Sequence, residues 1–130
     1  MTQAPNSLST TLSLQAMQTY SATVLVSSSE TRTVNLHDGA TSDSLLANGP
    51  FVGASSPATN MMQTNLGTQL FTTESSGKVT VNVTATDAGE VINALQVSDA
   101  LLTQLVIVSR PSVNNVLFND VLIAINGPLI

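Results

Sequence analysis

The sequence predicts an all-β domain, an antiparallel β-sandwich or jelly-roll-like barrel, and three observations carry that expectation. Apolar and polar residues alternate with period two in several segments, most cleanly in KVTVNVTA at 78–85. Turn-forming Gly, Pro, Asn, Asp and Ser punctuate the chain roughly every 8–12 residues, the spacing of a sandwich or barrel. Finally, 51 of the 130 residues are Ser, Thr, Asn or Gln while only 8% are charged, so the water-facing surface must be built of hydroxyls and amides. The length suits one core, and the chain divides into an extended N-terminal arm or first strand over 1–19 and a single β domain over 20–130.

In LSLQAM, Leu12, Leu14 and Ala16 share one face of a first strand. SATVLVS at 21–27 is β-branched and apolar, which suits a second. TRTVNL at 31–36 sets Thr31, Thr33 and Asn35 opposite Arg32, Val34 and Leu36. From His37 to about Thr64 the texture turns to Gly, Pro, Ser, Asn and Asp, predicting a long loop; such loops are often functional or ordered by a neighbour. A strand over Thr68–Thr73 leads through a Ser76-Gly77 turn into 78–85, where Val79, Val81, Val83 and Ala85 face inward. Residues 87–100 support two readings. Asp87 and Glu90 resemble a capping box before a short helix, yet Val91, Asn93, Leu95 and Val97 also alternate as a strand. LTQLVIVS at 102–109 reads as a buried strand ended by Pro111. Asn114-Asn115 make a turn into Val116–Ile125, one long strand or two with a bulge at Asn119-Asp120.

Composition excludes several functions. Three basic residues against eight acidic ones leave no footprint for nucleic acid. No apolar run approaches a membrane span, and none near the N-terminus resembles a signal peptide. Chemistry is equally thin, so the sequence predicts no enzyme, no cofactor and no catalytic residue. His37 is the one histidine, in a loop before an Asp-Gly turn, and without cysteine there is no thiolate site. Asp38 and Asp43 offer oxygen ligands for calcium, but the loop lacks the calcium-binding pattern and reads as a solvated turn. GPFVG at 49–53 reads as a turn with one buried Phe51 rather than a phosphate loop. With four aromatic residues and no Trp, a lectin that binds by ring stacking is disfavoured, while one that uses hydroxyl hydrogen bonds stays open.

The polar arm at 1–19, the KVTVNVTA strand, the DGATSDS loop and the final VLIAING strand resemble the small β-rich structural proteins of tailed bacteriophage virions, capsid decoration or cement proteins in particular. That resemblance implies a virion protein made in a host cytoplasm, self-associated as members of that group often are in trimers, and clamped on a larger shell. Leu8, Leu12 and Leu14 would anchor the arm as an added strand on a neighbour, with Phe51, Met61, Met62, Leu129 and Ile130 as further assembly contacts. Two other expectations stand beside it: a subunit of an extracellular filament or adhesive layer held by strand exchange, and a small glycan- or calcium-binding module.

Overall fold

The computed structural model describes residues 6–55, 64–85, 94–100, 102–111 and 117–129. Its regular elements are β1 (Asn6–Ser13), β2 (Thr19–Val26), β3 (Arg32–Asp38), β4 (Phe51–Gly53), β5 (Thr64–Thr72), β6 (Lys78–Ala85), β7 (Ala94–Ala100), β8 (Thr103–Pro111) and β9 (Leu117–Leu129). They form two antiparallel sheets, ordered β1-β6-β3-β4 and β5-β2-β9-β8-β7. The all-β sandwich is therefore the fold.

Period-two alternation accounts for the core. Val79, Val81, Val83, Ala85, Val34 and Leu36 line the inner face of the four-stranded sheet. Ala22, Val24, Val26, Val106, Val108, Val121, Ile123 and Ile125 answer them from the other sheet. β-branched side chains dominate because they pack well on a pleated surface. On the outer faces, threonines pair across strands: Thr11 with Thr80 at 3.0 Å, Thr19 with Thr72 at 3.2 Å and Thr23 with Thr68 at 2.7 Å. Hydroxyls that satisfy one another in this way take the place that charged pairs hold on most sheets.

Several expectations change. Within the arm or first strand expected over 1–19, Asn6–Ser13 form β1, which pairs with β6 of the same chain from Asn6↔Ala85 to Ser13↔Lys78. The strand ends before Ala16, which is exposed, because the chain turns at Met17 with φ 57°. Between 87 and 100, the described part, Ala94–Ala100, is strand β7 and not helix; residues 87–93 lie outside the described residues. The strand expected at Thr68 begins earlier, at Thr64, and the long 37–64 loop contains β4 and a bridge between His37 and Ser44. The bulge expected at Asn119-Asp120 is present. Val108 pairs with Val121 and Ser109 with Asn119, so Asp120 is the extra residue.

The sandwich has two ends. The Tyr20 end gathers the start of β2, the close of β9, the start of β8 and the close of β1. The Arg32 end gathers the close of β2, the starts of β3 and β9, and the close of β4. Gly77 holds the chain turn into β6 at the Tyr20 end, with φ 71° and Leu14 N–H donating to its carbonyl at 2.9 Å. A Cβ there would run into the Leu14 carbonyl oxygen, and the positive φ disfavours any side chain. Gly77→Ala is therefore expected to lower unfolding stability by about 1–3 kcal/mol in a urea titration; an unchanged midpoint would contradict this placement.

Candidate functional site at the Arg32 end

Buried polar side chains are more informative than exposed apolar ones. Among the described residues Ser27, Ser28, Arg32, Asp38, Ser55, Thr73 and Asp120 are buried, and all but Asp38 and Thr73 lie at the Arg32 end. Their placement begins with the bulge. An extra residue in one strand re-aims the side chains beside it, and here Asp120 and Val121, adjacent in sequence, are both buried while Asn119 is exposed. Alternation along β3 turns Arg32 inward with Val34 and Leu36. The two charges meet between the sheets: Arg32 Nε donates to Asp120 Oδ2 at 2.6 Å and Nη2 to Oδ1 at 3.3 Å, with both side chains fully buried. Such fork-to-carboxylate geometry is the strong form of a charged hydrogen bond.

Serines extend the cluster. Ser27 N–H donates to the Asp120 carbonyl at 3.0 Å, and Ser27 Oγ donates to the Asn119 carbonyl. Ser55 N–H donates to the Ser28 carbonyl at 2.6 Å, and Glu30 N–H to Ser28 Oγ at 3.0 Å. Above this buried base Ser29 and Asn119 are exposed, and Glu30 and Thr31 half-buried. The arrangement is a fixed floor with a rim of hydroxyl, amide and carboxylate groups. Chemically it can exchange hydrogen bonds with a polar, uncharged ligand.

The residues singled out from sequence lie elsewhere. Asp38 caps a turn at the Tyr20 end: its carboxylate accepts from Thr41 Oγ1 at 2.9 Å, Ala40 N–H at 3.2 Å and Ser76 Oγ at 3.2 Å. The Thr41 hydroxyl first, then the Ala40 amide, hold its carboxyl below the ordinary value, against a smaller opposing effect of burial. Asp43 is exposed, and its carbonyl accepts from Asp38 N–H at 2.7 Å. Among the described residues no group of three His, Cys, Asp or Glu is placed to hold a metal ion. His37 lies on the outer face of the four-stranded sheet beside Ser44. Of the expected assembly contacts, Leu12 and Phe51 belong to the chain's own core, Leu8 and Leu14 pack against it, and Leu129 is partly exposed. Met61, Met62 and Ile130 lie outside the described residues. The Arg32 end was missed as a site, although its signals, an arginine on an apolar strand face and a bulge at Asp120, are both in the sequence.

No family model matches the chain, and no curated protein is similar to it in sequence. Solved structures are similar in fold. A Chromobacterium violaceum lectin in complex with α-methyl-fucoside superposes with a TM-score of 0.65 at 24% identity, over 92% of this chain and 96% of the lectin. The C-terminal domain of the BC2L-C lectin from Burkholderia cenocepacia gives 0.65 at 20% identity, over 96% and 100%. A high-affinity mannose-binding lectin of Ralstonia solanacearum gives 0.60 at 18% identity, over 92% and 96%.

These likenesses overturn the resemblance to virion decoration proteins. The self-associating capsid role, the shell partner and the virion location fall with it. The physical reason is that the features behind it, a cysteine-free chain, hydroxyl-rich strands and scarce charge, belong to any sandwich surfaced with Ser, Thr and Asn. They do not distinguish a capsid clamp from a lectin.

The ion pair makes a direct prediction. Arg32→Met leaves a buried carboxylate without its cation and is expected to lower stability by about 3–5 kcal/mol, whereas Arg32→Met with Asp120→Leu recovers most of that loss. Urea unfolding of the two variants checks it, and a double variant no more stable than the single one would contradict it.

Proposed function

We propose that this protein is a non-catalytic carbohydrate-binding module that recognises a neutral pyranose at the Arg32 end. One observation carries the reading: the whole two-sheet fold, over more than nine-tenths of the chain, is similar to that of three sugar-binding lectins. Composition supports it. A sugar presents hydroxyls that each donate and accept, and an 8% charged surface rich in Ser, Thr, Asn and Gln offers matching groups with little desolvation cost.

Fixed donors and acceptors favour such binding because the protein loses little freedom when the ligand arrives. At the Arg32 end the floor is held by the Arg32–Asp120 pair and by hydrogen bonds among serines, and the exposed Ser29 and Asn119 stand above it to meet the sugar. Asn119 is the central rim residue, since its backbone is anchored by Ser27 while its side chain is exposed. The absence of Trp directs recognition to hydroxyl contacts rather than to a large stacking platform.

Isothermal titration with methyl α-fucoside and methyl α-mannoside tests the reading. A pyranoside has about a dozen non-hydrogen atoms, so at about 0.3 kcal/mol per atom a Kd on the order of 1 mM or tighter is expected. Asn119→Ala is expected to weaken binding up to about tenfold, the worth of a lost hydrogen bond. Absence of heat and of competition with either sugar at several times that concentration would refute it.

A further inference from the structure

The Tyr20 end holds a cavity of about 260 Å³, separate from the polar cluster at the Arg32 end. Leu14, Tyr20, Leu102, Gln104, Ile125 and Pro128 line it, and among the described residues no charged side chain does. It lies across the sandwich from the Arg32 end, at the mouth between the two sheets. Gly127 N–H donates to the Leu102 carbonyl at 2.9 Å, framing one side.

Strand alternation puts an amide inside this mouth. Thr103 and Asn126 turn outward and bond each other at 2.6 Å, which sends Gln104 inward on the face of Val106 and Val108. Gln104 Oε1 is buried and has no hydrogen-bond partner among the described residues. A buried acceptor without a donor is unfavourable unless something else supplies one. Tyr20 complements it, because its hydroxyl oxygen accepts from Gln15 N–H at 2.9 Å and its own O–H proton remains to be given. One cavity wall thus offers an acceptor and a donor, while Leu14, Leu102 and Pro128 offer apolar surface. The volume is far above the roughly 30 Å³ share of one water and just below the roughly 300 Å³ at which drug-sized sites begin.

We propose that this cavity is a second binding site, separate from the Arg32 end, for a neutral hydroxyl-bearing molecule of monosaccharide size. One ligand hydroxyl donates to Gln104 Oε1, a hydroxyl oxygen accepts from Tyr20 O–H, and the C–H face of the ligand rests on Leu14, Leu102 and Pro128. Charged ligands are disfavoured because nothing in the lining would compensate their desolvation.

The chain carries its own reporter, since Tyr20 is its one tyrosine and it has no tryptophan. Tyrosine emission is followed while methyl α-fucoside, methyl α-mannoside or myo-inositol is added to the full chain. At least one is expected to give a saturable change, retained in Asn119→Ala and shifted at least tenfold to higher concentration in Gln104→Leu and in the shorter Gln104→Asn. Thermal unfolding by circular dichroism reports that each variant is folded. No saturable change with any of the three compounds would overturn the proposal, as would wild-type binding in a folded Gln104 variant. A response abolished by Asn119→Ala and untouched at Gln104 would overturn it too, and would place all binding at the Arg32 end.

Discussion

A single ion pair between the sheets sets the terms for this fold. Arg32 belongs to β3 of the four-stranded sheet and Asp120 to β9 of the five-stranded one, and their fully buried side chains meet at 2.6 Å. In a core built chiefly of aliphatic and aromatic side chains, either charge alone would be strongly destabilising. The two sheets must therefore come together in the one alignment that brings guanidinium and carboxylate into register. Apolar residues of similar shape tolerate several alignments; a buried fork and carboxylate do not. A chain with only three basic residues places one of them here.

Everything at that end follows from the pair. The bulge in β9 turns Asp120 inward and leaves Asn119 outside. The same local distortion places the Asn119 and Asp120 carbonyls where Ser27 bonds both, through its hydroxyl and its amide. Ser28 and Ser55 then tie the close of β2 to the close of β4. A rigid polar floor beneath exposed hydroxyl and amide groups suits the proposed recognition of a neutral sugar, since affinity for so small a ligand is lost easily to reorganisation.

Much of the fold is legible in the residues. KVTVNVTA could hardly be anything but a half-buried strand, and TRTVNL and SATVLVS follow the same rule. The bulge at Asn119-Asp120 is readable because a polar pair interrupts an apolar strand. Residues 87–100 support two readings because a short segment satisfies both periods, and over the described part, Ala94–Ala100, pairing with β8 decides for strand. The site is legible only in halves. Arg32 stands on the apolar face of its strand and Asp120 beside a bulge, but they are 88 residues apart, and no local pattern gives the strand order that joins them. DGATSD offers two carboxylates close in sequence, but in space Asp38 gives its oxygens to Ala40 and Thr41 of its own turn and to Ser76 of the turn into β6. Likewise, of the apolar anchors expected on an assembling arm, Leu12 belongs to this chain's own core and Leu8 and Leu14 pack against it, since an edge strand that pairs at home has the same alternation as one lent to a neighbour.

Amide chemical-shift mapping during titration with methyl α-fucoside and methyl α-mannoside tests the central claim most directly. The account predicts that the largest sugar-dependent shifts fall on Ser27 to Arg32, Ser55, Asn119 and Asp120, where the buried pair holds the rim in place. A spectrum in which these amides stay unmoved at saturating sugar would contradict it.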